Sequence, residues 1–217
     1  MPGPDVREIA LRQRRLAAEA PTLPEAATPP GTRGAILRAG LALFAEHGFH
    51  GSSIRQLAAA VGITTATLYA HYPSKDDVLV ELVRIGHEEM WHRLSAASAD
   101  VAAPTARLTA LVEAHVRLHI DYAPLAVVVN NELHALAPER AEPALTMRDK
   151  CFQLLVDTIR DGADAGEFTV DDPYLAAIAI ASMDMRVANW YDPNLNYRPD
   201  QVTAQYAGFA RDIVRAG

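Results

Sequence analysis

A chain of 217 residues, half of them apolar and with net charge −7, has room for one large domain or a small one beside a larger one. Its single cysteine, Cys151, excludes an intrachain disulfide and fits a reducing compartment. Charges run through the first residues and no apolar run reaches bilayer-spanning length, so the sequence predicts a cytoplasmic protein with no secretory signal and no membrane partner.

Residues 1–31 read as an N-terminal extension. A stretch at 5–20 with Arg7, Arg12, Arg14 and Arg15 precedes a Pro-rich segment at 21–30. Two readings stay open: a flexible tail, or a basic arm adding phosphate or minor-groove contacts. From Thr32 onward the pattern is helical. A first helix is expected at 33–47, stopping before Gly48.

Residues 52–75 carry the most specific local signal. Ser53 and Gln56 have capping-box spacing, and Leu57, Ala58 and Val61 fall on one face of the helix that follows. Gly62 suits the left-handed conformation that ends a helix. Ile63 supplies a buried contact after the turn, and Thr64 is a good N-cap for the next helix. Pro73 ends that third helix by biasing Tyr72 toward an extended backbone. The result is a helix-turn-helix over about 53–72, whose second helix enters the major groove of double-stranded DNA by its N-terminal residues. Here those are Thr65, Ala66 and Thr67, small enough for close backbone approach, with threonine hydroxyls and methyls to read base edges.

A fourth helix is expected behind Ser74, with Asp77 at the capping-box position, running to about 98. The fifth spans 104–121 and the sixth 124–137. The seventh starts at Pro138 or Pro143 and ends at 162–166; the eighth covers 172–191 and the ninth 199–215. No alternating β-branched run predicts a strand, so the fold class is all-α with nine helices. Charge is partitioned. Residues 30–75 carry Arg33, Arg38, Arg55 and Lys75 against Glu46, a balance of +3, whereas residues 81–217 sum to −8. So modest a basic excess predicts a dimer on a palindromic operator rather than a tight monomeric binder.

Polar and aromatic residues on otherwise apolar stripes are the candidate effector contacts: His87, Trp91, His115, His119 and Tyr122, with Phe152 on the seventh helix. His115 and His119 have i, i+4 spacing that can chelate a metal, which keeps open a helical metal-binding protein or enzyme. No third ligand is evident near them. The run from His87 to His92 lacks the zinc-hydrolase spacing, because Trp91 stands where the second histidine belongs. No catalytic residue, metal or cofactor is assigned. The eighth helix is rich in small residues (Ala176, Ala177, Ala179, Ala181, Ser182) that permit close helix approach. Arg186 and Trp190 lie one turn apart, a spacing that predicts the guanidinium on the indole face. That pair suits either a dimer interface or an anionic ligand group. Cys151 reads as a buried small hydrophobe.

From about Arg33 to Val83 the sequence resembles the N-terminal domain of the TetR family of one-component repressors. The resemblance is carried by Ile36, Ala39, Leu43-Phe44, Glu46, Gly48, Ser53, Ile54, Arg55, Leu57-Ala58, Gly62-Ile63-Thr64, Leu68-Tyr69, His71-Tyr72 and Ser74-Lys75. It implies that Arg55, Thr65, Thr67, Tyr69, His71 and Lys75 face DNA, with Thr64 at the cap. It departs at Thr65 and Ala66, where many relatives carry lysine and glycine. The body from Tyr122 onward, with Met183, Arg186, Trp190-Tyr191 and Tyr206, is similar to TetR-type regulators of lipid and sterol catabolism. The family implies a DNA-binding domain at 32–92 and a ligand-binding and dimerisation domain at 93–217. It also implies a homodimer through the eighth and ninth helices and a ligand cavity among the fourth to eighth, to which Arg186 and Trp190 are further candidates. The implied function is that of a ligand-responsive repressor, released from its operator by a small apolar or acyl-CoA-like effector.

Overall fold

Three short-range signals set the first helix boundaries. In the computed structural model, which describes residues 22–216, Gly48 closes α1 (Gly31–His47), Ser53 caps α2 (Ile54–Val61) and Thr64 caps α3 (Thr65–His71). Ser53 and Gln56 make the reciprocal capping box, and Gly62 adopts φ 75°, ψ 30°, the left-handed geometry in which a Cβ is strained. Six helices follow: α4 (Lys75–Ser98), α5 (Pro104–Asp121), α6 (Ala123–Glu132), α7 (Pro138–Asp164), α8 (Pro173–Met185) and α9 (Pro199–Ile213). The described residues thus hold nine main helices and no strand, as the periodicity predicts.

Differences from expectation lie at helix ends. The seventh helix starts at Pro138 and carries Pro143 inside it. The sixth stops at Glu132 and gives way to a 3-10 turn, Leu133–Ala135. The eighth breaks at Arg186 before a short helical piece, Val187–Trp190. Of the N-terminal extension, Leu23 is buried in the core beside α1, so residues 22–30 are partly tied down. The two readings of the arm at residues 1–21 lie outside the described residues.

The chain folds as two compact units. The first takes residues up to 89 together with 122–145; the second takes 90–121 and those from 146 on. The single sequence boundary near residue 92 is therefore not the whole division, because α6 returns to the first unit. Its Leu125, Val128 and Val129 join one core with Ile36, Leu37, Leu41 and Phe44 of α1, Leu57 of α2, Leu68 of α3 and Leu79, Leu82 and Ile85 of α4. Gly86 on α4 makes this possible: a Cβ there would lie 2.8 Å from Val129 Cγ2. The second unit is built on α5, which packs against α8 and α9. Leu108, Val112 and Val116 meet Ile159 of α7, Ala176, Ala177 and Ile180 of α8, and Ala207 and Ala210 of α9. The small residues of α8 are used in this way at Ala176 and Ala177, whereas Ala179 and Ser182 face outward. Among the described residues no helix is long and apolar enough to cross a membrane.

Candidate nucleic-acid interface and effector site

The α2–α3 pair positions the candidate DNA contacts through one buried anchor. Leu68 is fully buried, which fixes the roll of α3 and leaves Ala66, Thr67, Tyr69, Ala70 and His71 exposed. Tyr69 is 50% exposed although aromatic, and Arg55 on the first turn of α2 is exposed as well. Thr64 Oγ1 accepts the Thr67 N–H at 3.1 Å and lies 2.9 Å from Thr67 Oγ1, so the cap also orients the Thr67 hydroxyl. Thr65 is half-buried beside them.

Lys75 has a different environment from the other six. Its ammonium donates to the Phe49 carbonyl at 2.6 Å and the Ser52 carbonyl at 2.8 Å, and it lies 4.1 Å from the Phe49 ring centre. It therefore fastens the α1–α2 connection to the start of α4. Next to it, Ser74 and Asp77 cap α4 as the spacing predicts, and Arg140 of α7 donates to Asp77. Those partners hold the Asp77 carboxyl below its ordinary range against the opposing effect of burial. Tyr72, which sequence marks only as the end of α3, is a second fastening. It is buried, and its hydroxyl accepts from Arg33 Nε at 3.2 Å while the Arg33 guanidinium lies 5.0 Å from its ring centre.

The effector candidates do not form one group. His87 and Tyr122 belong to the first unit: His87 is buried and its Nδ1 donates to the Val83 carbonyl at 2.9 Å, while Tyr122 packs on the core. Trp91 lies in the second unit with Leu94, Leu111 and Cys151. Burial raises the Cys151 thiol to about 12, consistent with an unreactive small hydrophobe. Phe152 stands edge-on to Tyr174, 5.2 Å between centres.

The stack of Arg186 on Trp190 does not form. Arg186 is exposed where α8 ends, and among the described residues no cation lies over the Trp190 ring. The Trp190 indole is stacked on Tyr206 instead, and its Nε1–H donates to the Tyr206 hydroxyl at 3.1 Å. Among the described residues the cations over rings are Arg33 and Lys75.

His115 and His119 do come together, with ring centres 4.6 Å apart. Their Nδ1 atoms are engaged: His119 Nδ1–H donates to the His115 carbonyl at 2.8 Å, and His115 Nδ1 lies 3.1 Å from Asp184 Oδ2. Burial first, then the charge of Arg148, lowers His115 to about 4. Burial, His115 and Arg148 lower His119 to about 3. Burial also pushes Asp184 well above the ordinary carboxylate range. Burial thus favours the neutral form of each of the three groups. Sequence reading missed Asp184, since a lone aspartate on a helix of small residues carries no local signal; only the packing of α8 on α5 brings it to His115.

Comparison with known proteins gives this geometry a family. A family model described as "Bacterial regulatory proteins, tetR family" matches residues 36–82, and one described as "Tetracyclin repressor-like, C-terminal domain" matches residues 101–214. The HTH-type transcriptional repressor KstR2 of Rhodococcus jostii is 26% identical over 184 residues, 84% of this chain and 90% of the relative. The structure of the ketosteroid transcriptional regulator KstR2 of Mycobacterium tuberculosis is 26% identical, with a TM-score of 0.79 over 85% of this chain and 95% of that one. AibR in complex with isovaleryl coenzyme A and operator DNA, 21% identical with a TM-score of 0.76 over 85% and 99%, shares the fold. With both its helix-turn-helix and its C-terminal region matched, the chain belongs to the TetR family of helix-turn-helix transcriptional regulators.

Proposed function

We propose that the chain is a homodimeric cytoplasmic repressor, released from a palindromic double-stranded operator by a small apolar molecule or an acyl-CoA-like thioester. The observation that carries the DNA reading is the exposed row on α3 above the buried Leu68. In this reading Thr65 and Thr67, with Arg55, meet bases or groove edges, and Tyr69 and His71 meet phosphates. Thr64 holds the Thr67 hydroxyl in place. Lys75 acts through the α1–α2 connection that it fastens, because two of its three N–H donors are held by the Phe49 and Ser52 carbonyls.

Dimerisation is assigned to α8 and α9. Tyr174, Leu175 and Ile178 on α8 and Phe209 and Ile213 on α9 are exposed large apolar side chains, which a soluble chain normally covers. Residues 32–92 serve as the reading domain, and residues 93–217 serve effector binding and dimerisation. The effector class rests on the apolar second unit with its few buried polar groups, and on the relationship to a regulator described as a ketosteroid one. His87, Trp91, His115, His119, Tyr122, Phe152, Arg186 and Trp190 remain its candidate contacts. Catalysis is not assigned. A metal or enzyme reading through His115 and His119 is not favoured, because the two family models that match the chain are those of transcriptional regulators.

Selection of bound DNA from a random library tests the first half. Addition of octanoyl-CoA and testosterone, a hydroxyl-bearing ketosteroid, to the selected complex tests the second. A palindromic consensus and release by at least one compound are expected. Absence of any enriched sequence, or release by neither compound, would refute the corresponding half.

A further inference from the structure

The interior of the second unit holds a carboxyl oxygen that no group among the described residues satisfies. Asp184 on α8 is 1% exposed; its Oδ2 lies against His115 Nδ1, and its Oδ1 is buried without a hydrogen-bond partner. Buried polar atoms ordinarily have one. The neighbouring polar groups do not bond it: His119 Nδ1–H is on the His115 carbonyl, the Tyr206 hydroxyl accepts from the Trp190 indole, and Arg148 lies against Met185 Sδ, a weak acceptor at 3.7 Å. We propose that Asp184 Oδ1 accepts a hydrogen bond from a hydroxyl or amide N–H of the effector, so that the recognised class is an apolar body bearing a neutral donor. This rests on reading the second unit as the effector-binding one.

The surrounding groups select the donor's charge. A cation would meet Arg148, whose charge is felt at both imidazoles. An anion or a ketone would set a second acceptor against Oδ1. A neutral hydroxyl does neither. Burial favours the protonated form of Asp184, in which an O–H on Oδ2 donates to His115 Nδ1 and Oδ1 is a carbonyl-type acceptor. An asparagine there reproduces that arrangement, because its amide N–H faces His115 and its oxygen replaces Oδ1.

The test uses the full-length protein with cyclohexanol, cyclohexanone and methylcyclohexane, followed by ligand-observed NMR titration. Cyclohexanol is expected to bind roughly tenfold more tightly than cyclohexanone, the effect of about one hydrogen bond. D184N should keep that preference, and D184L should lose it while still binding methylcyclohexane. If D184L fails to fold, the wild-type Asp184 carboxyl carbon resonance, assigned by its absence in D184N, decides: it should move with cyclohexanol and stay with cyclohexanone. Equal affinity for alcohol and ketone, an unmoved resonance, or a preference that survives in D184L overturns the proposal; an ordered water on Oδ1 predicts these results. Preference for cyclohexanol with no release of DNA by octanoyl-CoA or testosterone would instead sink the proposed effector class and leave the Asp184 site standing.

Discussion

The Lys75 ammonium lies 4.1 Å from the centre of the Phe49 ring while donating to the Phe49 and Ser52 carbonyls. A cation held by two carbonyls and a ring is part of the scaffold, and this changes what its removal should do. Lys75→Met is expected to destabilise the protein by about 1–2 kcal/mol, a charge-assisted bonding loss discounted for partial exposure. Binding to all DNA sequences should weaken with the salt slope unchanged. Urea unfolding and a salt titration of binding check this; a slope smaller by about one charge would return Lys75 to a phosphate.

Thr67 separates reading from folding. Thr67→Ala removes a hydroxyl that shares a 2.9 Å contact with Thr64 but leaves the backbone cap bond at 3.1 Å intact. Stability should change by less than about 0.5 kcal/mol, while Thr64→Ala, which removes the cap, should cost about 1 kcal/mol. Thr67→Ala should alter preference among operator variants by 1–3 kcal/mol, roughly the range of a base contact. Equal losses on operator and random DNA would count against the assignment.

At Gly86 the backbone of α4 comes close to Leu125 and Val129 of α6. A Cβ there meets Val129 Cγ2 at 2.8 Å, so Gly86→Ala should destabilise by about 1–3 kcal/mol despite alanine's better helix propensity, worth about 1 kcal/mol. Adding Val129→Ala should recover part of the loss, giving a coupling energy in a double-mutant cycle. Additive losses would mean that the two side chains do not share that space.

The His115–His119–Asp184 cluster makes stability depend on pH from two directions. Each imidazole falls from 6.5 in the unfolded chain to about 4 or about 3 in the fold, so its contribution is present above 6.5 and is lost as pH falls through those values. Asp184 is raised, so its contribution is present below 3.8 and is lost as pH rises toward its folded value. Two imidazoles against one carboxyl leave acid destabilising below 6.5. D184N removes only the Asp184 part, so its melting temperature should gain on wild type as pH rises from 5 to 8. A pH-independent difference between the two proteins would contradict a protonated Asp184.

The exposed apolar residues of α8 and α9 predict an interface. Leu175 is 60% exposed and Ile178 is 41% exposed, so Leu175→Asp with Ile178→Asp should barely change the monomer's own stability. Sedimentation should shift from dimer to monomer, with operator affinity lost at least tenfold. A double variant that stays dimeric would place the interface elsewhere.

Much of the reading domain was legible because its signals are local. Ser53 with Gln56, Gly62 and Thr64 each act on backbone within a few residues, so their consequence is visible from spacing alone. The Arg186–Trp190 stack was misread because spacing says which side chains can meet along a helix, not that a ring from another helix, Tyr206, stacks on the indole instead. The single cut near residue 92 could not show that α6 returns to the first core, since that depends on Gly86 opposite Val129, 43 positions apart in sequence.

Sequence by itself determined the all-helical class and the caps and turn of the helix-turn-helix, because each follows from short-range backbone chemistry or from apolar periodicity. Tertiary structure decided that Lys75 is a fastening, that Trp190 pairs with Tyr206, and that Asp184 meets His115 with one oxygen left over. Those outcomes depend on which helices pack together and on how much water their packing removes. Burial converts an ordinary aspartate and two ordinary histidines into a neutral, hydrogen-bond-selective cluster, and no residue's own identity announces how deeply it will be buried.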